Sequence, residues 1–223
     1  MRLFFILTLL LNIINHSSYG QNNVSISNEV KKLQVLVNQG DVNAQADLGW
    51  LYRIGKGVPQ DFNKAFELLS KAYKGGSHRA EGALGLLYEH GQGVDQDYKM
   101  AAKLFLQSAI KGEPKTQHNI GEFYERGIGV DQSYSEAFKW FQKAAIQGHA
   151  KGQISLASFY EKGLSVSQDY KTAYMWYLIA LPSGKEITKE KVKVLKNIFT
   201  NQELISLHDR AQSCIETNYK KCK

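Results

Sequence analysis

Ile120-Gly121-Glu122-Phe123-Tyr124-Glu125-Arg126-Gly127-Ile128-Gly129-Val130 is one of four copies of a single phrase. Its opening recurs as Leu48-Gly49-Trp50-Leu51-Tyr52, Leu84-Gly85-Leu86-Leu87-Tyr88 and Leu156-Ala157-Ser158-Phe159-Tyr160, each 36 residues from the next with no insertion. Its close recurs as Gly55-Lys56-Gly57-Val58, Gly91-Gln92-Gly93-Val94 and a degraded Gly163-Leu164-Ser165-Val166. A fixed period of this length is the mark of stacked repeats, in which each unit buries its apolar face only against its neighbours.

The slots of the repeat each have a physical reading. Ala44, Leu48, Leu51 and Tyr52 share one face of a helix. Gly49 interrupts that stripe at a helix cost of about 1 kcal/mol, which predicts a second helix passing close by. The Gly-x-Gly pair ends the helix by permitting left-handed backbone, and Val58 anchors the loop. A second helix starts after Asp61, Asp97, Ser133 and Asp169, all good N-cap residues; Ser133 with Glu136 reads as a capping box. This helix carries Phe62, Ala65, Phe66, Leu69, Ala72 and Tyr73 at helical spacing. The pattern predicts helices near 41–54, 62–75, 77–90, 98–111, 113–126, 134–147, 149–162 and 170–181. Residues 25–40 fit the second-helix frame alone and predict an N-terminal capping helix. Past Gly184 the Gly-x-Gly loop is absent, and Thr200 with Glu203 forms another capping box that opens a final helix near residue 201.

The ends of the chain carry different information. Arg2, the apolar run Leu3 to Ile14 and Ser18-Tyr19-Gly20 read as a secretory signal cleaved before Gln21. About 12 apolar residues are too few to span a bilayer, which takes about 20, so no stable membrane insertion is expected after cleavage. The resulting division is signal peptide 1–20, capping helix 21–40, repeats 41–184 and a C-terminal cap with a basic tail at 185–223. The formal net charge of +7 is unevenly placed. Residues 41–184 hold 16 basic and 15 acidic side chains, whereas 185–223 hold 9 and 5. A nucleic-acid binder concentrates positive charge on its folded body, and this body is nearly neutral. Two cysteines in an exported chain favour one disulfide, Cys214–Cys222. Eight residues of continuous helix would hold their backbones about 12 Å apart at 1.5 Å per residue, against the roughly 7 Å a disulfide tolerates. The last helix must therefore end between them, with Asn218 the natural stop.

With these residues in register, the chain resembles the bacterial Sel1-like repeat proteins, relatives of the tetratricopeptide class. Ile120 to Gly148 follows that family's unit almost throughout, and the likeness covers 25–184. It implies an all-α, right-handed α/α superhelical solenoid of four 36-residue helix-loop-helix repeats with capping helices. It also implies protein recognition on a concave face lined by the first helices. Many exported members of the family are implicated in envelope assembly or contact with host cells. Carried over slot by slot, the concave positions are Trp50, Leu86, Glu122 and Ser158; Arg53, Glu89, Glu125 and Glu161; Ile54, His90, Arg126 and Lys162; and Ala46, Gly82, His118 and Ile154. Of these, Trp50, Arg53, Leu86, His90, His118, Glu122 and Arg126 are the candidate protein-binding residues.

Little in the chain points to catalysis. Ser108-Ala109-Ile110-Lys111 matches the S-x-x-K of penicillin-recognising enzymes, and a cysteine-rich group of Sel1-like proteins has been linked to β-lactam hydrolysis. Yet Ser108 shares its slot with Ala72, Ala144 and Ala180, which marks a small packing residue, and the companion motifs are missing. His78, His90, His118, His149 and His208 form no metal-ligand spacing; His78 and His149 fall at turns between repeats, where solvation is expected. Trp140 and Trp176 share a slot with Leu68 and Leu104 and read as core. The sequence therefore predicts a periplasmic or secreted monomer that binds a protein or peptide, with no cofactor, no metal, no catalytic residue and no nucleic-acid partner. A β-lactam or cell-wall amide hydrolase, or an envelope structural protein, is the alternative.

Overall fold

The structure, a computed structural model, describes residues 28–220 and 222; the expected signal peptide lies outside them. Among the described residues there are eleven α-helices and no strand. After α1, over 28–38, come α2 (Val42–Ile54), α3 (Phe62–Lys74), α4 (Arg79–His90), α5 (Tyr98–Ile110), α6 (Pro114–Arg126), α7 (Tyr134–Ala145), α8 (Ala150–Lys162), α9 (Tyr170–Ala180), α10 (Glu186–Lys196) and α11 (Asn201–Glu216). Every repeat helix falls within two residues of its sequence-predicted bounds. The chain forms two compact units that divide between Gln96 and Asp97.

In the first unit α2 packs on α3, α3 on α4 and α2 beside α4. The glycine inside α2 explains how closely they approach. A Cβ on Gly49 would stand 2.8 Å from Leu69 Cγ and 3.2 Å from the Leu69 backbone nitrogen. Leu69 is fully buried, as are Ala65 and Ala72 on the same helix. The helix ends follow from the sequence too. Asp61 accepts from the Lys64 amide at 3.0 Å, and Gly55 closes α2 at φ 67°.

The second unit repeats this arrangement with bulkier filling. Phe105, Phe123, Phe141 and Phe159 interlock edge to face in two pairs, Phe105 with Phe123 at 5.3 Å and Phe141 with Phe159 at 5.2 Å, a geometry that aligns ring edges with ring faces. Trp140 and Trp176 are buried, as their slot predicted. Gly121 sits where a Cβ would meet Phe141 Cε1 at 2.6 Å. Replacing Gly121 by Val should therefore destabilise by about 1–3 kcal/mol through overpacking. An unchanged urea midpoint for that variant would show that the slot is not a packing contact.

One feature of the loops recurs unannounced by any propensity. Gln60, Gln96, Gln132 and Gln168 each donate a side-chain N–H to the backbone carbonyl seven residues earlier, at 2.9, 2.7, 2.8 and 2.8 Å. These acceptors, Arg53, Glu89, Glu125 and Glu161, lie in the last turns of the first helices, where carbonyls lack helical partners. In the fourth loop Ser165 takes the position held elsewhere by glycine and adopts φ 62°. That conformation is costly for an L side chain, so Ser165→Gly should raise stability by about 0.5–1 kcal/mol. A melting temperature that stays level or falls would contradict this.

The capping box expected at Ser133 is only half formed. Ser133 accepts from the Glu136 amide at 3.3 Å, but the Glu136 carboxylate turns outward to Lys139 at 2.7 Å. The box at Thr200 and Glu203 is complete. Past it, α11 ends at Glu216, and Asn218 and Tyr219 turn left-handed at φ 49° and 63°. This brings Cys214 and Cys222 to a Cα separation of 4.7 Å, joined as a disulfide. The Tyr219 ring then lies over Gly148, at the turn between α7 and α8, where any Cβ would come within 2.9 Å of it.

Candidate protein-binding faces

The side chains that vary while the frame stays constant project from the first helix of each repeat. In the first unit they come from α2 and α4. Trp50 is 39% exposed and so is Ile54, two large apolar groups at the surface of one helix. Arg53 lays its guanidinium over the Trp50 ring, 4.6 Å from the centroid. Burial holds its pKa below the ordinary arginine value, and its Nε has neither water access nor a hydrogen-bond partner among the described residues. Leu86 is half-buried and His90 exposed; the His90 ring shares a hydrogen at 2.9 Å with the Leu86 carbonyl. Arg79 bridges α4 to α2 by pairing with Asp47 at 2.7 Å.

In the second unit the corresponding face belongs to α6 and α8. Glu122 and Arg126 are exposed. Burial raises the Glu122 pKa, opposed by the positive charges of Lys151 and Arg126. Glu125 is raised for the same reason, with Lys162 opposing. At the far end Glu161 is already engaged: it accepts from Tyr177 at 2.8 Å and pairs with Lys191 of α10 at 2.7 Å. The cap therefore occupies that slot of the face.

His118 was expected on this face, and the structure places it underneath. It is 3% exposed, its ring tilted against Phe141 at 5.5 Å and His149 at 5.4 Å. Ser155 Oγ lies 3.3 Å from its Nε2, and Glu122 Oε2 approaches Nδ1 to 3.4 Å without an aligned hydrogen bond. Its slot companions carried the signal, since Ala46 is buried and Gly82 and Ile154 are half-buried. His149 departs from the expected solvated turn as well: its Nδ1 accepts from the Gly152 amide at 3.2 Å and caps α8. Burial, with Lys151 nearby, lowers the pKa of His118 to about 4. Burial and the neighbouring His118 lower that of His149 to about 4. The other candidate residues, Trp50, Arg53, Leu86, His90, Glu122 and Arg126, all reach the surface of their units at least in part.

Catalytic geometry is not assembled at Ser108. It is buried and accepts from Thr116 Oγ1 at 2.9 Å, a tie between consecutive helices. Among the described residues no group of three or more His, Cys, Asp or Glu side chains is placed to hold a metal ion, and no helix is long and apolar enough to cross a membrane.

Paired helices joined by a left-handed turn, with a recurring inner frame and variable outer slots, define a helical-repeat protein. The chain belongs to the Sel1 repeat family: the family model matches residues 42–77, 78–113, 114–149 and 150–181. Sel1 repeat proteins are generally protein–protein interaction modules and typically non-enzymatic scaffolds. No curated protein sequence matches the chain. Among solved structures it is similar to c5321 of uropathogenic Escherichia coli, described as a protective antigen displaying an SLR fold, at 36% identity and a TM-score of 0.66. That match covers 71% of this chain and 34% of the E. coli protein, so the chain spans about a third of that relative's length. It is also similar to a Sel1 repeat protein from Oxalobacter formigenes, at 26% identity and a TM-score of 0.65, covering 77% of this chain and 73% of that one.

Proposed function

We propose that this protein is an exported adaptor that holds segments of a partner protein on the outward faces of its first helices, in the cell envelope or in contact with a host cell. The observation that carries the reading is Trp50, a large aromatic side chain 39% exposed beside a stacked arginine. Exposed aromatic and arginine side chains dominate the energetics of protein interfaces. Export is supported by the Cys214–Cys222 disulfide, a bond that persists in oxidising compartments. A scaffold role rather than hydrolysis is supported by Ser108, Thr116 and Gln117, whose buried polar groups join α5 to α6. Gln117, for instance, donates to the Ala109 carbonyl at 3.1 Å.

The test is binding to a partner captured from the native envelope. Trp50→Ala, and separately the double reversal Glu122→Lys with Arg126→Glu, should each weaken it by roughly tenfold or more, about 1.4 kcal/mol, with melting temperatures unchanged. An affinity indifferent to both would remove the first-helix faces as the binding surface.

A further inference from the structure

One outward slot carries an acid in three repeats, Glu89, Glu125 and Glu161, and a base only once, Arg53. The acids are provided for. Glu161 is held by Lys191 and Tyr177, Glu125 lies in the field of Lys162 and Arg126, and Glu89 has interactions of its own, His90 among them. Arg53 makes no ion pair among the described residues. The arginine–carboxylate pair between α2 and α4 joins Arg79 to Asp47 instead.

A half-buried guanidinium with a dry, unpartnered Nε incurs a desolvation cost that native structures avoid unless something offsets it. Stacking on Trp50 fixes the plane of the group and offsets part of that cost. Nε is sealed from any partner, so the edge left to meet one is the terminal Nη1–Nη2 edge, which makes no ion pair among the described residues. Trp50, beneath the guanidinium, and Ile54 on the same helix are exposed, and Leu86 on α4 is half-buried. A fixed guanidinium edge presents a fork of donors that matches a carboxylate two bonds at a time.

We propose that Arg53, stacked on Trp50, receives an Asp or Glu carboxylate from an acidic peptide segment of the partner protein, with an adjacent Leu, Ile or Phe of that segment resting on Ile54 and Leu86. This rests on the reading that the first-helix face binds protein, and names the chemistry it takes.

A random peptide library selected against the full chain supplies the probe. The strongest binder is resynthesised with its acidic residues replaced by the matching amides, and again with an amidated C-terminus. All forms are titrated against wild type, Arg53→Gln, Arg53→Lys and Trp50→Ala, whose folding is checked by circular dichroism. The selected peptides should carry Asp or Glu next to a large apolar residue. Removing the peptide carboxylate or the guanidinium should each weaken binding by roughly ten- to a hundredfold, as loss of a charge-assisted pair does. The two losses should not add in a double-mutant cycle. Arg53→Lys, which keeps the charge without the fork, should restore only part of the affinity, and amidating the terminus should change nothing. Additive losses, or full affinity in Arg53→Gln alongside loss in Trp50→Ala, would overturn the carboxylate site while leaving the face intact. A binder lost on amidation would move the carboxylate to a chain terminus and overturn the side-chain assignment. Peptides indifferent to both Arg53 and Trp50, or no selected peptide at all, would remove the site and the face together.

Discussion

Acidification should cost this protein several kcal/mol of stability through two histidines. His118 titrates near the ordinary imidazole value of 6.5 when unfolded and at about 4 in the folded protein, because burial and the Lys151 charge disfavour its protonated form. The unfolded chain therefore binds the proton first. Stability is fully present above pH 6.5, falls as the pH drops toward 4, and levels off below it. The interval corresponds to about 3 kcal/mol for His118 alone. His149 moves in the same direction over the same range, and the two rings are 5.4 Å apart, so protonating one discourages the other. The groups facing His118 are Glu122 on its own helix and Ser155 and Lys151 on α8. A hydrogen bond with the Asn119 side chain also favours the imidazolium but is outweighed by burial and Lys151, and the Glu122 carboxylate is 49% exposed and partly screened. Urea unfolding of the wild type and of His118→Gln across this range is the check. The variant should lose less stability on acidification by about 3 kcal/mol, whatever its stability at neutral pH. Parallel pH profiles for the two proteins would show that His118 is not buried neutral.

Opening the disulfide should release the C-terminal cap. Cys214 is fully buried on α11 and Cys222 lies eight residues on. Loss of a loop closure this short is worth about 2–3 kcal/mol in the chain-entropy model. The bond also holds Asn218 and Tyr219 in left-handed conformations and keeps the Tyr219 ring over Gly148. Around it are the residues of α9 and α11 that close the apolar end of the second unit, among them Tyr174, Met175, Leu207 and Ala211. Cys214→Ala with Cys222→Ala should lower the melting temperature and raise amide exchange along α11. Identical melting curves for the variant and the oxidised wild type would show that the bond clamps nothing.

The fold was legible because one period governs so many slots. The apolar stripe, the interior glycine, the N-cap and the left-handed glycine pair each point to the same helix boundaries. Even Ser165, which breaks the glycine pattern, keeps the conformation the pattern demands. The Gln60 series carries a weaker signal, since a glutamine in a loop has no propensity of its own and only its 36-residue recurrence marks it. The surface was harder. Helical spacing assigns a side chain to a sector of the helix, and His118 and Glu122, one turn apart, differ by a sector's edge: one is sealed beneath the face and the other is exposed. Which side of that edge a residue falls on depends on the bulk of Phe141 and His149 opposite, and no single repeat encodes that. The slot alone assigns Arg53 to the face; its stacking on Trp50 depends on how two side chains one turn apart share a surface.

Site-directed photo-cross-linking in the native organism tests the central claim most directly. A photoreactive residue placed at Leu86 or Ser158, half-buried on first helices, is compared with one at Lys103 or Lys143, exposed on second helices. The account predicts that both first-helix positions yield an adduct with the same partner protein and that neither second-helix position does. Adducts from Lys103 and Lys143 with none from Leu86 and Ser158 would contradict it.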